Sequence, residues 1–207
     1  MTVVSATTTA MSITTAPANE VPCSALDAIF GTRGGAAECR CQRYRLARGE
    51  AFGNTPVEVR AERLREQAAC GDADSPRTSG LVAHLDGEPA GWCAVAPRSA
   101  YEGLVRNANR TAWRGRHEDR LDPDVWAITC LLTRPGMRGQ GVARALAAAA
   151  VPHARSGGAR RLEAYPITVP DATWGEEHPG PLSVYLDGGF EVVHRPSKRR
   201  AVVAIDL

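Results

Sequence analysis

The chain has 207 residues, 43% of them hydrophobic, with 25 Lys+Arg against 23 Asp+Glu and a formal charge of +2. At roughly 150 residues per domain this length suits one domain with appendages, and the apolar share suffices for a single core. The near-neutral balance excludes affinity for nucleic acid resting on bulk charge, and no apolar run approaches the roughly 18 residues of a membrane span, the longest candidate being Ala145 to Val151.

The first twenty residues carry no charge before Glu20, and their Thr, Ser and Ala show neither helical nor alternating periodicity. A disordered tail over 1–20, ahead of one domain over 21–207, is the expectation. The basic start and continuous apolar stretch of a signal peptide are both missing, which points to the cytoplasm. Six cysteines (Cys23, Cys39, Cys41, Cys70, Cys93 and Cys130) are scattered through a chain long enough to fold without staples, so reduced thiols are expected. Every basic residue but Lys198 is arginine, which coding bias explains without phosphate recognition.

Ser24 and Asp27 predict a short helix through Phe30, followed by a GTRGG loop and a polar strand over Glu38 to Arg45. Thr55-Pro56-Val57-Glu58 predicts an N-cap, a proline at the first helical position and a capping-box acid; the helix then runs to Gly71 with Leu64 and Ala68 at helical spacing. Leu81 to Leu85 and Ala90 to Ala96 flank Asp86-Gly87-Glu88-Pro89, a strong hairpin signal. Tyr101 to Asp124, rich in Arg, Asn and Asp, reads as a short helix and an exposed loop forming a surface rim.

From Val125 the pattern sharpens. VWAITCLLT is a buried strand, RGQG a turn, Val142 to about Arg155 an Ala-rich helix stopped by Gly157-Gly158, and Arg161 to Pro166 a second strand. Strand, helix and parallel strand make one βαβ unit. A loop with Trp174, a short helix over Pro181 to Asp187, and a final hairpin of Phe190 to His194 and Arg200 to Asp206 complete a mixed α/β sheet.

The glycines of Arg138-Gly139-Gln140-Gly141-Val142-Ala143 allow backbone N–H groups to converge where the helix dipole begins, an arrangement suited to a phosphate or pyrophosphate. A P-loop is excluded because Val142-Ala143 follows Gly141 instead of Lys-Ser/Thr. A dinucleotide fingerprint fails because Arg144 stands at the third glycine position and fewer than fifty residues remain for the rest of such a sheet.

Arg138-x-x-Gly141-x-Ala143, set between a hydrophobic strand and an amphipathic helix, resembles the pyrophosphate-binding signature of the GNAT superfamily of acyl-CoA-dependent N-acyltransferases. Tyr185-Leu-Asp-Gly-Gly-Phe190 is similar to the Tyr-x-x-x-Gly-Phe block that closes that fold, and the Asp86-Gly87 hairpin falls where the family places its second and third strands. The resemblance covers residues 80 to 207 well and 24 to 79 loosely. It implies a single GNAT-like α/β domain of α+β type, with a mixed, mostly antiparallel sheet splayed between strands 4 and 5 and flanked by helices.

The resemblance further implies acetyl-CoA as cosubstrate, with no metal. Backbone groups of Leu131, Leu132 and Thr133 would pair with pantetheine, and the amides of Arg138, Gly139, Gln140, Gly141, Val142 and Ala143 would hold the pyrophosphate. Tyr185 aligns with the family's proton donor, and Glu163, across the splay, stands as a base acting directly or through water. His178 replaces an asparagine common before the last helix, and Pro152 should kink or end the helix near Val151. Cys39-x-Cys41 is too closely spaced for a zinc pair and would instead line the acceptor pocket. Trp92, Trp126 and Trp174 read as core or pocket wall.

The implied activity is acetyl transfer to a primary amine, on a small molecule or a peptide, by direct attack in a ternary complex. A GNAT-fold module that binds acyl-CoA without transfer is the alternative. Neither nucleic acid nor membrane is an expected partner, and a homodimer is compatible with the resemblance.

Overall fold

A computed structural model describes residues 11–106, 110–172, 176 and 178–207. Seven strands form one sheet in the order β1 (Ile13–Pro17), β2 (Gly80–Leu85), β3 (Glu88–Pro97), β4 (Val125–Thr133), β5 (Arg161–Ala164), β7 (Arg200–Asp206), β6 (Glu191–Ser197). Only β4 and β5 are parallel. The β2–β3 hairpin turns at Asp86 and Gly87, both at positive φ (50° and 86°), as a two-residue turn of right-handed strand twist requires.

β1 corrects the expected tail. Ile13–Pro17 pairs antiparallel with Leu81–Leu85, and a single 3₁₀ turn, Ala18–Glu20, leads into the domain. Its sequence ITTAP lacks alternation, so the strand is held by the edge of β2 and not by its own pattern. Residues 1–10 lie outside the described residues.

One face of the sheet is covered by α6 (Val142–Ser156) and α7 (Leu182–Asp187) over a core that includes Leu81, Cys93, Val95, Ile128, Leu162 and Val203. Gly91 lets α6 begin directly against β3: a Cβ there would lie 2.6 Å from Val142 Cγ1. α6 runs through Pro152 to Ser156 instead of ending at Val151; packing of Ala147, Ala150 and Ala154 against the sheet holds the last turn despite the missing backbone donor.

The other face carries α1 (Cys23–Phe30), α2 (Gly34–Cys39), α3 (Val57–Ala68), α4 (Glu102–Arg106) and α5 (Arg110–Trp113). The strand expected over Glu38 to Arg45 is instead the end of α2 and a turn, with Arg40 and Cys41 both left-handed (φ 46° and 57°). α3 starts at Val57 without a side-chain cap; Pro56 precedes it, and the Thr55 hydroxyl donates to Asn54. Cys23 and Cys70 form a disulfide, Cα–Cα 5.0 Å, joining the start of α1 to the end of α3 and correcting the expectation that all thiols are reduced. The expected surface rim also proves partly internal, because Tyr101, Leu104 and Trp113 pack against Ala127, Tyr165 and Val202. Trp92 and Trp126 are core residues, whereas Trp174 lies outside the described residues.

Candidate active site

β4 and β5 pair only over Val125–Ile128 and Arg161–Ala164. Opposite β3, the register slips between Ala94 and Val95 and leaves Thr129 as an extra residue of β4, a bulge that bends the strand where it leaves β5. Beyond that point the sheet is open. β4 continues to Thr133 with β3 on one side and the 178–181 segment on the other.

A cleft of about 1090 Å³ fills the opening. Its floor is Cys130 to Thr133. Arg138 and Ala143 line it beside the glycine loop, α2, Arg43, Phe52 and the start of α3 line it from the other face of the sheet, and Ile167, Val169, His178 and Pro181 complete the lining.

The Arg138 end is built from backbone. Gly136, Gly139 and Gly141 adopt φ of 87°, 78° and 89°, which L side chains rarely reach, and a Cβ on Gly139 would meet only open space. From Arg138 through Arg144 no amide donates to a backbone carbonyl among the described residues, whereas Met137 donates to Arg134 and Ala145 to Gly141. These amides begin α6, so the positive end of the helix dipole adds to them.

On β4 the expected set divides. The Leu131 amide is not open: it donates to the His178 carbonyl at 2.7 Å, because the 178–181 segment folds into the gap that β5 vacates. Strand alternation points the backbone groups of Thr133 to the same open side, one step nearer the glycine loop, while Leu132 faces β3. Leu131, Leu132 and Thr133 all line the cleft, with Arg138 and Ala143; Gly139, Gln140, Gly141 and Val142 contribute through the loop backbone.

Neither expected proton carrier faces the cleft. Tyr185 is fully buried beneath the wall; its hydroxyl donates to the Pro179 carbonyl at 2.6 Å, and burial pushes its pKa well above the usual phenol value. Glu163, 1% exposed, is not a solvent-facing strand residue. It accepts from Arg98 at 3.2 Å, Arg116 at 2.6 Å and the Tyr165 hydroxyl at 3.0 Å, which takes up both of its oxygens. The α4–α5 segment that covers it and brings Arg116 lies distant in sequence, so alternation along β5 could not reveal this burial.

Side chains that do line the cleft were partly foreseen. Cys39 and Cys41 are there, joined by Cys130 from β4. Cys41 accepts a hydrogen bond from the Trp92 indole at 3.3 Å, and its thiol pKa is held down first by the Cys130 hydrogen bond, then by Trp92, against the opposing effect of burial. The same contact and burial push Cys130 up, and burial raises Cys39. His178, which stands where the family often has an asparagine, pairs through Nε2 with the Tyr44 hydroxyl at 3.2 Å, the two rings 5.3 Å apart.

Arg43, Tyr44, Phe52 and Arg60 carried no readable signal, since they come from turns and a helix face without motif. Arg60, 4% exposed, is committed through Nε and Nη1 to the carbonyls of Glu38, Phe52 and Thr55. The Arg43 and Arg60 guanidinium groups lie 5.6 and 5.0 Å from the centre of the Phe52 ring.

The pattern of the acetyltransferase (GNAT) family matches residues 43–172. The chain belongs to the GNAT acetyltransferase family. An N-acetyltransferase from Staphylococcus aureus Mu50 shares the fold with a TM-score of 0.51 at 13% identity, over 96% of this chain and 99% of that one. A PaiA N-acetyltransferase from Thermoplasma acidophilum, solved in complex with coenzyme A, aligns at 12% identity over 95% and 99% of the two chains with a TM-score of 0.49. Nourseothricin acetyltransferase aligns at 20% identity and a TM-score of 0.38, over 61% of this chain and 64% of its own length. No curated protein matches the sequence.

Acetyl-CoA is the acyl donor of GNAT acetyltransferases, and the structure fits it on its own observations. Free amides from Arg138 through Arg144 suit a pyrophosphate, Arg138 adds an exposed charge, and the open side of β4 at Thr133 continues the path into the cleft. Of the expected β4 contacts, the Leu131 amide is taken by the His178 carbonyl and the Leu132 backbone faces β3, which leaves Thr133.

Proposed function

We propose that this GNAT acetyltransferase moves an acetyl group from acetyl-CoA to a primary amine by direct attack in a ternary complex. The observation that carries this reading is the single cleft joining the glycine loop to a second, side-chain-lined end. A donor and an acceptor can therefore lie head to head, with reacting atoms in contact and water largely excluded.

When bound, acetyl-CoA supplies a thioester carbonyl open to an unprotonated amine; the new C–N bond forms as the C–S bond breaks, and the nitrogen loses a proton. Loop amides and Arg138 hold the donor's phosphates, and Thr133 orients its arm. His178 receives the proton, since imidazole both accepts and releases protons near neutral pH and Tyr44 holds its Nε2. Tyr185 acts as a positioning residue: its hydroxyl fixes the Pro179 carbonyl, and with it the wall that carries His178. The burial of Tyr185 and Glu163 away from the cleft also favours the second reading, a module that binds acyl-CoA without transferring it.

Calorimetric titration with acetyl-CoA, followed by thiol release against a panel of amines, separates the two. Micromolar binding that weakens in Arg138→Glu, with release on at least one amine, supports transfer. Binding with no release on any amine selects the module, and no binding by folded protein defeats both.

A further inference from the structure

Arg43 lines the far end of the cleft and makes no ion pair or side-chain hydrogen bond among the described residues. Its Nε is buried without a partner, and its guanidinium lies 5.6 Å from the centre of the Phe52 ring and near the Cys39 thiol, whose ionised form it favours. Behind that ring the buried Arg60 adds a second positive charge whose Nε and Nη1 donors are taken by carbonyls. Among the described residues the one carboxylate lining the cleft, Glu38, is exposed and pairs with neither arginine. A guanidinium that is half withdrawn from water with no counter-ion is costly unless an anion arrives to complete it.

The donor's phosphates do not meet this need, because their place at Arg138 is at the start of α6 on one face of the sheet, whereas Arg43 follows α2 on the other. One guanidinium with one open edge matches a monoanion, which it can grip bidentately. The cleft walls include the apolar residues Phe30, Ala36, Phe52, Val57, Ile167 and Ala172, with Phe52 beside Arg43.

From this juxtaposition we infer that the acceptor is an amine that also bears a carboxylate beside an apolar side chain, an amino-acid-like zwitterion whose carboxylate is held by Arg43. This rests on the acyltransferase reading and gives its acceptor a chemical class. Held by its carboxylate, such a molecule directs its amine along the cleft toward Cys130 and the acyl end of the donor.

The test is calorimetric, on full-length protein saturated with coenzyme A, using phenylalanine and leucine against phenylalaninamide and leucinamide. Each amide keeps the amine and side chain and lacks only the negative charge. The amino acids should bind at least about tenfold more tightly than their amides, the size of a charge-assisted bidentate contact. In Arg43→Gln that preference should collapse toward one while coenzyme A affinity persists. Equal or tighter binding of the amides, no binding of any of the four, or a preference that survives Arg43→Gln would overturn the inference. A fall in coenzyme A affinity in Arg43→Gln would also overturn it by assigning Arg43 to the donor. Failure of coenzyme A itself to bind wild type would instead sink the acyltransferase reading, and the amino acid titrations are still read separately on the same protein.

Discussion

Two groups of arginines occupy the same face of the sheet and differ in one respect. Arg98 and Arg116 meet Glu163, with Tyr165 completing the carboxylate, and together with Arg120 they surround the Trp113 ring at 4.7 to 5.0 Å. Arg98 also donates to the carbonyls of Asp119 and Arg120. Charge there is compensated from within, and the result is a strut tying the 98–120 region to β5. At Arg43 the same chemistry is left incomplete beside a cavity. The arginines whose buried side chains meet a carboxylate are scaffold, whereas the half-buried Arg43, beside the cleft and without a carboxylate, marks a place for a ligand.

The sharpest way to break this contrast is Glu163→Gln. It leaves two buried guanidinium groups without their shared anion and should cost about 3–5 kcal/mol in a urea titration; a loss below 1 kcal/mol would mean the strut is not structural. His178→Ala should lower kcat about a hundredfold with little change in acetyl-CoA affinity, as expected for loss of a proton acceptor. An unchanged kcat would return that role to water.

Tyr185→Phe should cost about 1–2 kcal/mol by stranding the Pro179 carbonyl, while the shape of the pH–rate profile stays as in wild type. A lost alkaline or acidic limb would restore Tyr185 as the proton donor. Stability should also fall on acidification through His153, whose pKa burial lowers from 6.5. The unfolded state then binds the proton more readily, so stability is complete above about 6.5 and declines as pH drops toward the lower folded value; His153→Gln should flatten that decline in thermal melts at pH 5 to 7, conditions set about the unperturbed imidazole pKa. Smallest of all, Arg43→Ala should leave stability unchanged or raise it by up to about 0.5 kcal/mol, because no partner is lost and an uncompensated charge is removed.

How far the sequence disclosed this molecule follows the reach of each interaction. β4, the glycine loop and α6 are local: their strand, turn and helix preferences all sit within Val125–Ser156, and they were readable with the hairpin at Asp86-Gly87. β1 was not, since ITTAP is a strand only because β2 offers an edge. α2 was hidden by its brevity and by the left-handed pair Arg40 and Cys41 that ends it. At the site, the glycine turn and its free amides were legible, whereas the burial of Glu163 was not, because its partners come from 47 and 65 positions away. Arg43 was missed because its significance is an absence of partners, which only three dimensions display.

The strand once taken for a tail also bears on practical handling of the protein. Ile13 packs on the α6 core, and its Cδ1 lies 3.5 Å from where a Cβ on Gly141 would project, so the N-terminal strand buttresses the glycine loop from behind. Trimming the chain to residue 21 would remove that buttress and expose the edge of β2. Fusion partners and affinity tags are therefore better joined ahead of residue 11, with Ile13–Pro17 kept intact.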